Sequence, residues 1–103
     1  MSKWRRTIFT LSGVLGLSAL AVPALADNAS YCRDYAHTAV HQSHVARDHD
    51  RCHHFIRDNP ARWSEDYDGH YNSCMTNYGS GFNAAENQAR TDALNECIHD
   101  HHW

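Results

Sequence analysis

The chain has 103 residues, a formal charge of −3 and 20% charged residues. That size excludes a multidomain protein and a large enzyme. The average hides an asymmetry: residues 1–26 hold nearly all the aliphatic character, and residues 27–103 hold all ten His and all four Cys.

The N-terminal segment reads as an address. Lys3, Arg5 and Arg6 are basic, the run from Ile8 to Val22 is apolar, and Ala24-Leu25-Ala26 is a small-x-small cleavage site. These are the three parts of a secretory signal peptide, which sets residues 1–26 apart from the folded domain. The apolar run is shorter than the roughly 20 residues a spanning helix needs, so no membrane span is expected after signal cleavage. Arg5-Arg6-Thr7-Ile8-Phe9 also has the shape of a twin-arginine signal, although the general secretory route is the simpler reading. The remaining 77 residues keep six Arg, no Lys and all twelve acidic residues, a charge of −6 with neutral His and +4 with every His protonated. The sign changes around the unperturbed His pKa of roughly 6.5. Nothing in an acidic, lysine-free domain offsets phosphate repulsion at neutral pH, so no nucleic-acid partner is expected.

Large apolar side chains are scarce. Val40, Val45, Phe55, Ile56, Phe82, Leu94 and Ile98 are seven of 77 residues, well below the roughly 20% under which disorder becomes the default. Domains under about 80 residues usually need covalent or metal staples. Four cysteines in an exported chain supply them. The absence of any Cys-x-x-Cys excludes zinc-ribbon, thioredoxin-like and c-type haem readings.

Three helices are predicted. The first starts at Ser30 as N-cap and runs to about Arg51, with Tyr35, Ala36, Ala39, Val40, Ser43 and Ala46 on one side. Asn59-Pro60 then breaks and restarts the chain, since proline is tolerated in a first turn. The second helix carries Trp63, Tyr67, His70, Tyr71, Cys74, Met75 and Tyr78 and ends at Gly79-Ser80-Gly81. Asn83-x-x-Glu86 is a variant capping box for the third, whose inner face is Ala85, Ala89, Ala93, Leu94, Cys97 and Ile98. The expected fold class is all-α, a small three-helix up-down-up bundle spanning 27–98, followed by a His-rich tail at 99–103. In that topology Cys32 and Cys74 share one end, and Cys52 and Cys97 the other. Cys32–Cys74 and Cys52–Cys97 are therefore the predicted disulfides, each worth about 4 kcal/mol in the chain-entropy model.

Tyr31-Cys32, Tyr35-Ala36, Ala39-Val40-x-Gln42, Cys52, Arg62-Trp63, Asp66-Tyr67, His70-Tyr71-x-x-Cys74, Glu86-x-x-x-Arg90 and Leu94-x-x-Cys97 form a pattern. It resembles a group of small exported proteobacterial proteins rich in paired cysteines and aromatics. The resemblance spans most of residues 31–97 and implies a bacterial periplasmic or secreted protein. It carries across no activity and no catalytic residue, and most of the histidines lie outside it.

The histidines are the sharpest chemical signal. His37, His41 and His44 stand at i, i+4 and i+7, within about 60° of one another on a helix face. Asp34 and Asp48 flank them, and the apolar side lies roughly opposite, so this row is expected to be exposed. Two neutral imidazoles one turn apart can bind Cu²⁺, Zn²⁺ or Ni²⁺, with carboxylates completing the shell. Further candidates are His49, His53 and His54 around Cys52, and His99, His101 and His102 in the tail, both placed at the Cys52–Cys97 end. His70, among Tyr67, Tyr71 and Cys74, reads as a packing residue. No nucleophile elbow, P-loop or His-Glu-x-x-His is present, and Glu65, Asp66 and Asp68 are explained by a helix start, so no enzyme is expected. Two readings follow. One is an exported protein that binds or buffers a divalent transition metal through surface histidines. The other is a non-catalytic module for an envelope protein or envelope stress, its histidines a solvated or pH-responsive surface.

Overall fold

The computed structural model describes residues 26–99. The expected signal segment up to residue 25 and the tail from residue 100, including His101 and His102, lie outside them. The described residues from Tyr31 onward form one compact unit. The described residues are all-helical, in four α-helices and one 3-10 turn. Helix α1 covers 26–47. The 3-10 turn is Asp50–Cys52, α2 is His53–Asp58, α3 is Tyr67–Thr76 and α4 is Phe82–His99. No helix among the described residues is long and apolar enough to cross a membrane.

Both disulfides have the expected pairing. Cys32 is bonded to Cys74 and Cys52 to Cys97, with Cα–Cα distances of 5.6 and 5.2 Å. Each bridge sits inside its own apolar cluster. Cys32 and Cys74 pack with Tyr35, Tyr71 and Met75. Cys52 and Cys97 pack with Ala46, Trp63 and Ala93, against which Phe55, Ile56, Leu94 and Ile98 lie half-buried. Two bridges in a chain this small also point to an oxidising compartment.

The first helix ends earlier than its periodicity suggests. It stops at residue 47, and the 3-10 turn and α2 follow instead of one continuous helix to Arg51. Two imidazoles cap the freed carbonyls. His49 Nδ1 donates to Val45 O and His53 Nε2 to Arg47 O, each at 2.8 Å. Such bonds satisfy acceptors that a helix end leaves open.

Trp63 is not part of the helix it was expected to begin. Asn59 Oδ1 accepts the Arg62 amide three residues on at 3.2 Å, a cap-like bond that folds 60–63 back. That turn drops Trp63, only 1% exposed, into the core. Its ring lies 6.5 Å from that of Phe55, and Arg47 Nη1 donates to its carbonyl at 2.7 Å. The helix starts only at Tyr67. At its far end Gly79 and Gly81 adopt φ of 84° and 88°, a region open to glycine. The expected Asn83–Glu86 capping box is not formed. The Phe82 amide instead donates to Ser80 Oγ at 3.2 Å. Asn83 is buried within α4 and donates to Cys74 O at 3.1 Å. On the expected inner face of α4, Ala93 and Cys97 are buried, but Ala85 is exposed.

Peptide mapping without reduction yields Cys32–Cys74 and Cys52–Cys97 peptides, and a Cys32–Cys52 peptide contradicts this fold. Trp63→Ala removes the largest buried side chain and costs about 3–5 kcal/mol in chemical denaturation, a large part of a small domain's stability.

Candidate functional site

The histidine row of α1 is exposed, as its spacing predicts: His37, His41 and His44, and Asp34 and Asp48 beyond them, all lie at the surface. It borders the irregular segment before α3 and the first turn of that helix. The His37 ring lies 4.9 Å from the Tyr67 ring. His44 Nδ1 is 2.6 Å from Glu65 Oε2, and Arg47 Nε is 3.2 Å from Glu65 Oε1. Glu65 therefore lies against the Nδ1 edge of the His44 ring and against the Arg47 guanidinium together.

Distance limits what the row can hold. Asp34 and Asp48 are fourteen positions apart, about 21 Å along the helix, so they cannot complete one shell. Among the described residues no three His, Cys, Asp or Glu side chains come together in a way that could hold an ion. The usable units are therefore the pairs His37/His41 and His41/His44.

The second histidine group is largely occupied with packing. His49 and His53 each use one ring nitrogen as a helix cap, and the His54 ring lies 4.0 Å from that of Phe55. His99 ends α4 and is exposed. The Cys52–Cys97 bridge ties the chain near His53 and His54 to the chain near His99. Any convergence with His101 and His102 lies outside the described residues. His70 is buried, as expected, and donates Nε2–H to Ser64 O at 2.7 Å.

Sequence reasoning missed a buried polar layer between the two apolar clusters. Arg90 is 1% exposed. Its Nε donates to Gln42 Oε1 at 2.7 Å, and its guanidinium carbon lies 5.2 Å from the Tyr35 ring centre, a cation–π contact. Gln42 Nε2 in turn donates to Thr91 Oγ1 at 3.2 Å and to Asn87 Oδ1 at 3.3 Å. Nearby, Arg62 and Glu86 form a two-bond fork at 3.1 and 3.0 Å. Those bonds raise the Arg62 pKa above the ordinary arginine value, against the opposing effect of burial. The signal was Arg90 itself, four residues after Glu86 and seven before Cys97, on the stripe that had to face inward.

Removing the Gln42 acceptor isolates a buried charge. Gln42→Ala is expected to cost about 2–3 kcal/mol in denaturant unfolding. Gln42→Leu with Arg90→Met, which removes acceptor and charge together, costs less than the sum of the single changes. No protein-family model, no curated protein and no solved structure matches this chain.

Proposed function

We propose that this is a small exported protein of the bacterial periplasm or surroundings that takes up a divalent transition metal, Cu²⁺, Zn²⁺ or Ni²⁺, on paired imidazoles of α1. The supporting observation is the 2.6 Å contact between His44 Nδ1 and Glu65. With the Nδ1 edge of His44 against Glu65, Nε2 is the ring nitrogen left for a metal, one turn from exposed His41. Two protein nitrogens with water completing the shell suit a buffer that binds and releases, rather than a closed structural site. Signal-directed export is supported by the three-part N-terminus and agrees with two disulfides.

The fold in this reading is an up-down-up bundle of α1, α3 and α4, with α2 a short addition after the first bend. The bridges support it. Cys32 lies early in α1 and Cys74 late in α3, so these helices run oppositely. Cys52 follows α1 and Cys97 is near the end of α4, so these run alike. The alternative role, docking to an envelope protein, is favoured by Tyr31, Tyr78 and Phe82, which are large and exposed. Tyr31 and Tyr78 meet edge-to-face with ring centres 5.5 Å apart.

Calorimetry of the purified oxidised protein with Cu²⁺, Zn²⁺ and Ni²⁺ tests the metal reading. Binding heat is expected for at least one of them, and His41→Ala with His44→Ala removes that component. Glu65→Gln, which keeps the side chain's shape, weakens it by roughly 10–100-fold. Heats indistinguishable from buffer for all three metals overturn the reading in favour of a docking module.

A further inference from the structure

The buried arginine adjoins a cavity that the metal reading does not use. The cavity has a volume of about 470 Å³ and is lined by residues of α1, the 59–64 segment, α3 and α4, among them Tyr35, Arg62, Ser73, Phe82, Glu86 and Arg90. Its size falls within the ordinary range for small-molecule sites.

The charges in its wall do not balance. Glu86 is its only carboxylate, and both oxygens are engaged by Arg62. Arg90 has no carboxylate partner among the described residues. Its Nε bonds a neutral amide, its Nη1 has one long contact, 3.4 Å to Arg62 O, and its buried Nη2 has no acceptor. An arginine presents its two terminal nitrogens as a planar fork that matches a carboxylate. A buried cation without a counter-charge is costly, and an anion placed there offsets that cost. The cavity also has apolar surface. The Tyr35 ring already covers one side of the guanidinium, and Phe82 is a large exposed ring on the lining.

We infer that this cavity binds a small organic carboxylate with an apolar body, its carboxylate directed to the terminal nitrogens of Arg90 and its body against Phe82. Nη2 is closed to bulk water, so the carboxylate displaces the long Nη1 contact to the Arg62 carbonyl of the irregular 59–66 segment. That segment contributes Asn59, Ala61, Arg62 and Ser64 to the lining. The inference does not use the histidines of α1, although Glu65, which contacts His44, belongs to the same 59–66 segment.

Benzoate is the probe, with acetate to separate the charge from the apolar body. Metal-stripped, oxidised protein is titrated by amide NMR against sodium chloride at matched ionic strength. Saturable shifts in residues 59–64 and around Phe82 and Arg90 are expected with benzoate, with weaker ones from acetate and none from chloride. Arg90→Gln abolishes them. Should that variant fail to fold, Glu86→Gln carries the test: it removes the one carboxylate and frees Arg62, and tightens benzoate binding roughly tenfold. Benzoate shifts that match those from chloride, or a benzoate affinity unchanged by Glu86→Gln, overturn the inference.

Discussion

Each cystine stands at the centre of its own apolar cluster, and the domain is organised around those two points. Cys32–Cys74 gathers Tyr35, Tyr71 and Met75. Cys52–Cys97 gathers Ala46, Trp63, Ala93 and the few aliphatics the chain owns. With sequence separations of 42 and 45 residues, each bridge closes a long loop and removes much of the unfolded chain's freedom. The sulfurs also serve as apolar filling. A domain so poor in Leu, Ile and Val as residues 27–103 has no other source of comparable stability.

Crosslinking the ends changes what the middle is allowed to be. Between the clusters lie Gln42, Ser43 and Arg90, all buried. In a domain held by apolar burial alone, a guanidinium bonded to one amide and one distant carbonyl would be a serious defect. Here it ties α4 to α1 through Gln42 and to the 59–66 segment through the Arg62 carbonyl. The polar layer thus sets how these elements meet, and it leaves a positively charged wall beside a cavity.

The histidines divide by use. His49 and His53 close the end of α1, and His70 secures the loop before α3 through Ser64. These imidazoles act as hydrogen-bond donors in a domain whose residues 27–103 hold no lysine. His37, His41 and His44 remain on the outer face, where Glu65 orients one of them. Histidine therefore serves capping and packing at some positions and lines an open helix face at others.

The helical class, the pairing of the cysteines and the buried side of α1 were all legible in the amino-acid order. They rest on local periodicity and on the topological consequence of four evenly spaced cysteines. The glycines that follow α3 were legible too, because a positive φ is a local demand. Trp63, Asn83 and Arg90 were not. Helical spacing put Trp63 on α3, but the turn closed by Asn59 and the apolar cluster around Cys52–Cys97 took it into the core. Asn83 looked like a cap because its type is common there, yet it lies inside α4 and its Nδ2 donates to the Cys74 carbonyl. Arg90 lay on an inward stripe, but only the approach of Gln42 and Tyr35 from α1 made burying it tolerable. Sequence alone determined what each segment prefers by itself. The tertiary structure decided which polar groups found partners, because a buried hydrogen bond depends on atoms brought together from distant parts of the chain.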